Sequence, residues 1–124
     1  MSRFRFFALG LACLAALSVS ANADPFTYRA VVSKFGILGR HGGGVVSSQM
    51  VDTGHYLVDF ASDVSACAIV ATVSRETRAG GAAEKPGYIS ASAAGDGSSS
   101  VSVSIFGMRG RPRDYAFHVL VACP

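Results

Sequence analysis

Hydrophobic and polar positions alternate with a period of two along the chain from residue 26 onward. Because successive side chains of a β-strand point to opposite faces, this spacing is typical of strands with one buried face. No segment long enough for a helix repeats its apolar residues at helical spacing. The pattern therefore predicts an all-β protein. The predicted strands, about seven, are Phe26–Val32, Val45–Val51, His55–Phe60, Cys67–Val73, Tyr88–Ala94, Ser99–Phe106 and Tyr115–Cys123.

Short strands at this spacing favour an antiparallel sandwich of two sheets, with a flattened barrel as the alternative. One antiparallel register of the fourth and the last predicted strands places their apolar residues on a common face. It brings Cys67 opposite Cys123, and a Cα separation above ~7 Å between these cysteines would exclude it. The other pairs of this register are Ile69 with Val121, Ala71 with Val119 and Val73 with Phe117.

A hairpin is predicted across Gly95–Ser98, between Tyr88–Ala94 and Ser99–Phe106. Its apolar residues face the core and its serines face outward. If the hairpin lies at a sheet edge, no charged side chain guards it, and self-association through that edge is a second expectation. The outward serines are Ser90, Ser92, Ser100, Ser102 and Ser104.

The first 23 residues have the three parts of a secretory signal peptide. A basic start with Arg3 and Arg5 precedes the apolar run 6–17, and the segment ends on the small residues 21–23. We expect cleavage before Asp24, which leaves residues 24–124 as a single domain. A lipoprotein anchor at Cys13 is the alternative. No later apolar stretch approaches the ~20 residues of a membrane span, so no transmembrane segment is expected.

The composition narrows the class of protein further. The chain has 124 residues, of which 50% are hydrophobic and 15% charged, which is too apolar for a disordered protein and too short for a large multidomain enzyme. Loss of Arg3 and Arg5 with the leader reduces the formal charge from +3 and leaves nine basic residues against eight acidic ones. This small surplus gives little support for a nucleic-acid partner, and none is expected.

Cysteine usage indicates an oxidising compartment. After removal of the leader, the cysteines that remain are Cys67 and Cys123. In an exported protein such a pair is expected to form a disulfide, which stabilises a small domain by roughly 4 kcal/mol when it closes more than half of the chain.

The histidines after the leader, His41, His55 and His118, are the candidates for catalytic or metal-binding residues. His41 begins a His-Gly-Gly-Gly string that matches the oxyanion loop of esterases, but no Gly-x-Ser-x-Gly motif accompanies it. His55 and Asp59 share a strand face at a separation of ~13 Å, too far for a dyad. His118 is interpreted as a hydrogen-bonded, partly buried histidine without a catalytic role. A zinc site with both cysteines is disfavoured because they are expected to be oxidised, so neither enzyme activity, nor a metal, nor a cofactor is predicted.

Two segments concentrate arginines. Arg109, Arg111 and Arg113 lie close together, and Arg75 and Arg78 belong to a long polar connection, Ser74–Gly87, which is predicted to be an exposed loop. If both segments lie at one end of the fold, they can form a patch that contacts phosphate or carboxylate groups of an envelope polymer or a partner protein. Solvated loops are the alternative, because acidic residues (Glu76, Glu84 and Asp114) lie alongside.

Three segments carry a resemblance when they are taken together. They are Gly54-x-Tyr56-x-Val58-x-Phe60, Cys67-Ala68-x-Val70-Ala71-Thr72 and Phe117-His118-Val119-x-Val121-x-Cys123. The chain resembles small exported bacterial β-rich domains with a paired cysteine and no assigned activity. The resemblance implies export, β architecture and the disulfide, and it transfers no binding residue.

The sequence thus predicts an exported protein, periplasmic or secreted, that acts as a non-catalytic binding or surface-assembly module. Loops on a rigid sheet scaffold are the expected contact surface. A periplasmic enzyme inhibitor that inserts one of its long loops is the first alternative. A small hydrolase is the second, and it requires a pair of His, Asp or Ser side chains within ~3 Å of each other in a cleft.

Overall fold

The computed structural model describes residues 26–74 and 87–124. These residues form eight β-strands and no helix, which confirms the all-β prediction. The predicted signal peptide and its cleavage point lie outside the described residues, as does most of the predicted loop 74–87. The strands are β1 (Phe26–Val32), β2 (Leu38–His41), β3 (Val45–Asp52), β4 (His55–Phe60), β5 (Ala68–Val73), β6 (Gly87–Ala93), β7 (Ser100–Gly107) and β8 (Phe117–Cys123).

Two four-stranded antiparallel sheets make up the architecture. The first sheet has the strand order β2-β1-β8-β5, and the second has the order β3-β4-β7-β6. The sheets are not joined by hydrogen-bonded strands, so the two-sheet sandwich is confirmed and the flattened barrel is wrong. No helix in the described part of the chain is long and apolar enough to cross a membrane.

Strand β2 is not predicted by the sequence pattern. It pairs with β1 through Ala30 opposite His41 and Val32 opposite Leu38, with a register shift in between. Its four residues include Gly39 and end on three exposed positions, so they show no alternation of apolar and polar residues. The strand therefore forms through its pairing with β1, and its own sequence carries no strand signal.

The predicted register of β5 and β8 is confirmed. Ile69 lies opposite Val121, and the pairing continues in step to Val73 and Phe117. Cys67 and Cys123 form a disulfide with a Cα separation of 4.3 Å. The bridge therefore fastens β5, an edge strand, to β8 in the interior of the first sheet.

The predicted hairpin of β6 and β7 is confirmed, and its apolar residues and serines lie on the predicted faces. Ile89 faces Ile105 on the core side, and Ser90 faces Ser104 on the outer side. Strand β6 is an edge strand with no charged residue, which is the condition for the expected self-association. Self-association itself stays a prediction.

The core lies between the sheets and is closed by apolar side chains from β1, β4, β7 and β8. Tyr56 is fully buried, and its ring centroid lies 5.0 Å from that of Phe117. Its hydroxyl donates a hydrogen bond to the carbonyl oxygen of Lys34 at 2.7 Å. Because a buried hydroxyl without a partner is costly, this bond fixes the β1–β2 loop against the start of β4.

The two ends of the sandwich differ. One end is formed by the loops 33–37, 53–54 and 108–116, and we call it the arginine end. The opposite end is formed by the turns 42–44, 61–67 and 94–99 together with the disulfide, and we call it the disulfide end.

The connection that contains Arg75 and Arg78 attaches to the arginine end. Ser74 donates its backbone N–H to Ala116 at 2.8 Å, and Gly87 is paired with Gly107. Both attachment points therefore lie beside the loop 108–116. Arg75 and Arg78 themselves lie outside the described residues.

Candidate binding groove

A groove crosses the outer face of the first sheet. The alternation that buries Tyr28, Ala30 and Val32 turns Arg29 and Val31 outward. In the neighbouring strands, Leu120 lies beside Arg29 and Val70 lies beside Leu120. One outward row of the sheet therefore combines a guanidinium group with two aliphatic side chains.

The next row has a similar composition. His118 lies opposite Val31 on one side and opposite Thr72 on the other. Strand β2 adds Arg40 and His41 along its edge of the sheet. Together these side chains line a groove of about 870 Å³, which is within the range of small-ligand sites.

The charge of the groove is of one sign. Arg29, Arg40, His41 and His118 line it and are exposed, and no carboxylate is among the described residues that line it. His41 has one ring nitrogen fixed, because Nδ1 donates to the carbonyl oxygen of Gly39 at 2.9 Å. The arrangement favours an anion, since one guanidinium group can donate two parallel hydrogen bonds to a carboxylate or phosphate group.

The floor of the groove is aliphatic and exposed. Val70 retains 57% of its accessible surface and Leu120 retains 44%. Both lie in the middle of strands on the solvent-exposed face of the sheet, where a polar side chain would lose less hydration than in the core. An apolar portion of a ligand would remove this surface from water and gain about 25 cal/mol per Å².

The sequence does not predict this groove. It predicts a partly buried histidine at position 118, whereas His118 is exposed in the structure, because Phe117 and Val119 take the inward positions of β8. The alternation in β1 turns Arg29 outward but does not by itself mark it as a binding residue. Arg40 belongs to β2, which has no alternation of its own.

The predicted arginine loop lies at the arginine end, away from the groove. Arg109, Arg111 and Arg113 are exposed there. The backbone of this loop is held by hydrogen bonds from Gly107 N–H to Arg111 and from Arg113 N–H to Ile105, at 2.8 and 3.0 Å. The loop thus presents its three guanidinium groups from a fixed backbone.

Asp114 connects this loop to the neighbouring turn. Its Oδ1 accepts a hydrogen bond from the Gly54 N–H at 2.7 Å and lies 3.4 Å from the hydroxyl oxygen of Tyr56, whose proton is donated to Lys34. The carboxylate is therefore half-buried and turned toward the core side of the loop. The role of Asp114 is structural, because its hydrogen bond to Gly54 joins the β7–β8 loop to the β3–β4 turn.

The outer face of the second sheet brings together a serine and a histidine. His55 Nδ1 lies 2.9 Å from the Ser104 hydroxyl. Asp59 belongs to a separate pair of contacts, since it accepts hydrogen bonds from Ser47 and Ser100. The three residue types of a hydrolase are present on this face, but the carboxylate does not orient the histidine.

We expect the Ser104 hydroxyl to be a structural hydrogen-bond partner rather than a nucleophile. Ser104→Ala should lower the free energy of unfolding by about 1 kcal/mol, which is typical of one lost hydrogen bond. A fluorophosphonate probe should leave the wild-type chain unlabelled in an intact-mass measurement. Labelling that disappears in Ser104→Ala would revive the hydrolase hypothesis.

One carboxylate at the disulfide end has a shifted pKa. The Ser65 hydroxyl donates to Asp63 Oδ1 at 2.6 Å, and the Ser65 N–H donates to the same oxygen at 2.8 Å. These two bonds, the hydroxyl bond more than the backbone one, lower the pKa of Asp63 below its ordinary value. Asp63 therefore stays ionised to a lower pH than an aspartate without these bonds.

No group of three or more His, Cys, Asp or Glu side chains suited to a metal ion occurs within residues 26–74 and 87–124. Cys67 and Cys123 are joined to each other, so their thiolates are not available as ligands.

The fold and the groove define a disulfide-bonded β-sandwich with a basic cleft whose floor is aliphatic. No protein-family model, curated protein or solved structure matches the chain.

Proposed function

We propose that the protein is a non-catalytic binding module that holds an anionic ligand with an aliphatic part in the groove of the first sheet. The observation that carries this proposal is the combination of four basic side chains and an exposed aliphatic floor, with no carboxylate among the described lining residues. The anionic group would meet Arg29 and Arg40, and the aliphatic part would lie on Val70 and Leu120.

Export to the periplasm or the medium is part of the proposal. The disulfide is consistent with an oxidising location. The leader-like composition of residues 1–23 supports the same compartment. An exported binding module meets lipids and polymer fragments of the cell envelope, many of which carry phosphate or carboxylate groups.

Dodecanoate is a suitable probe because it combines a carboxylate with an alkyl chain. Calorimetric titration below its micelle-forming concentration should show saturable binding, whereas acetate and dodecanol should bind far more weakly. Arg29→Gln should weaken dodecanoate binding about tenfold, as expected for one lost charge-assisted contact. Leu120→Ser should weaken it several-fold through the loss of apolar contact.

Arg109→Gln is the matched control, since it removes the same charge from an exposed position outside the groove. It should leave the affinity for dodecanoate unchanged. If acetate binds as tightly as dodecanoate, the aliphatic floor has no role. If Arg109→Gln weakens binding as much as Arg29→Gln does, the contact is nonspecific and the groove is not the site.

A further inference from the structure

The arginine end carries exposed apolar side chains at the tips of two separate loops. Phe35 and Ile37, in the β1–β2 loop, retain 64% and 65% of their accessible surface. Met108, in the β7–β8 loop, retains 62%. Large apolar residues grouped on the surface of a small domain are unfavourable in water and commonly mark a contact surface.

These tips are presented by ordered backbone. The Ser33 hydroxyl accepts hydrogen bonds from the N–H groups of Phe35 and Ile37 at 3.2 and 3.1 Å. The carbonyl oxygen of Gly36 accepts a bond from the Ser48 hydroxyl at 2.7 Å, which fastens the loop to β3. Because the polar backbone groups are turned inward, the apolar side chains project from the end of the sandwich.

Basic groups lie in the same two loops as the apolar tips. Arg109, Arg111 and Arg113 are exposed in the same loop as Met108. Lys34 precedes Phe35, and its ammonium group lies 5.2 Å from the centre of that ring. Each of the two loops therefore combines exposed apolar side chains with cations.

The two ends differ in their exposed carboxylates. Asp63 and Asp96 lie in the turns of the disulfide end, which face away from the arginine end. At the arginine end the exposed carboxylate of the described residues is that of Asp52, and its Oδ1 accepts the Thr53 N–H. Among the described residues, exposed cations therefore outnumber exposed carboxylates at the arginine end.

We propose that the arginine end docks on the surface of an anionic phospholipid bilayer. The guanidinium groups of Arg109, Arg111 and Arg113 bind lipid phosphates, and the side chains of Phe35, Ile37 and Met108 enter the boundary between headgroups and acyl chains. A bilayer fits this surface better than a folded protein does, because the tips protrude and a fluid surface adapts to them. The disulfide end then points away from the membrane.

The docking surface and the groove use different residues, so each proposal can fail without the other. The groove lies on the outer face of the first sheet, whereas the docking surface consists of loop tips at the end of the strands. In the docked orientation the groove stays open to solvent beside the membrane.

Sedimentation with vesicles tests the docking proposal. The chain without residues 1–23 should bind vesicles of phosphatidylcholine mixed with an equal amount of phosphatidylglycerol, and it should bind phosphatidylcholine alone much more weakly. The triple variant R109Q/R111Q/R113Q should lose on the order of a hundredfold in partition coefficient, since each basic residue near an anionic surface contributes about a fivefold factor. The double variant F35S/I37S should lose on the order of tenfold or more.

Val46→Ser is the matched control for F35S/I37S, because it changes an exposed apolar residue away from the arginine end. It should bind vesicles like the wild type. Thermal melting of every variant shows that a loss of binding is not a loss of fold. An equal loss in Val46→Ser, or no binding of the wild type at low salt, would overturn the proposal.

A tryptophan reports directly on insertion, since the chain contains no Trp. Met108→Trp should show blue-shifted emission on phosphatidylglycerol vesicles and quenching by brominated lipids. Val46→Trp, toward the other end of the molecule, should keep the emission of a water-exposed indole. Binding without a shift in Met108→Trp would mean a purely ionic contact, as with a soluble acidic protein, and would contradict membrane docking.

Discussion

Removal of the disulfide is expected to lower the free energy of unfolding by about 4 kcal/mol. The change is Cys67→Ala together with Cys123→Ala. The bridge joins residues separated by 56 positions, so its loss restores a large closure entropy to the unfolded chain. For a domain of this size the melting temperature should fall by ~15–30 °C. Urea denaturation of the double variant and the wild type measures the difference.

Alanine is chosen because Cys123 is buried and serine would leave a hydroxyl there without an assigned partner. The reduced wild type is the control, and it should match the double variant in its midpoint. A loss below ~1 kcal/mol would show that β5 is held by its pairing with β8 and not by the bridge.

The part of the fold that the sequence predicts is the part where one face of each strand is buried. In β8, Phe117, Val119 and Val121 alternate with exposed residues, and this pattern together with the cysteines determines the register against β5. Strand β2 carries no such signal, because three of its four residues are exposed. It exists through its pairing with β1, which a local pattern does not encode.

The candidate groove is harder to predict from the sequence, because it too depends on which strands are neighbours. Arg29, His118 and Val70 come from three strands and meet only after the strand order β1-β8-β5 is known. Alternation indicates which side chains point outward, but it does not indicate which strands are neighbours. The arginine loop is evident from the sequence because its cations are close together in the chain. Phe35 and Ile37 are not evident as its apolar companions, because they belong to another loop.

Asp114 has a structural contact that its place beside Arg113 in the sequence does not reveal. In the structure its Oδ1 accepts the Gly54 N–H at 2.7 Å. The same contact makes Gly54 the point at which the β3–β4 turn meets the β7–β8 loop.

Gly54→Ala is therefore expected to be strongly destabilising, by about 3 kcal/mol. Gly54 has a φ of +69°, a conformation that alanine adopts at a cost. A Cβ atom there would lie 2.6 Å from the carbonyl oxygen of Ile105 and 2.9 Å from the backbone N of Arg113. Because both neighbours are backbone atoms, no side-chain rotation relieves the overlap.

Gly95→Ala is the matched control for this prediction. A Cβ at Gly95 meets no atom within 4 Å, and its φ is not in the left-handed range. Its effect on the free energy of unfolding should stay within about 0.5 kcal/mol. Denaturation of the two variants beside the wild type separates a local steric effect from a general intolerance of alanine in turns. Equal stability of Gly54→Ala and Gly95→Ala would show that the β3–β4 turn can move away from the β7–β8 loop, and the arginine end would then lack the fixed backbone on which its apolar tips depend.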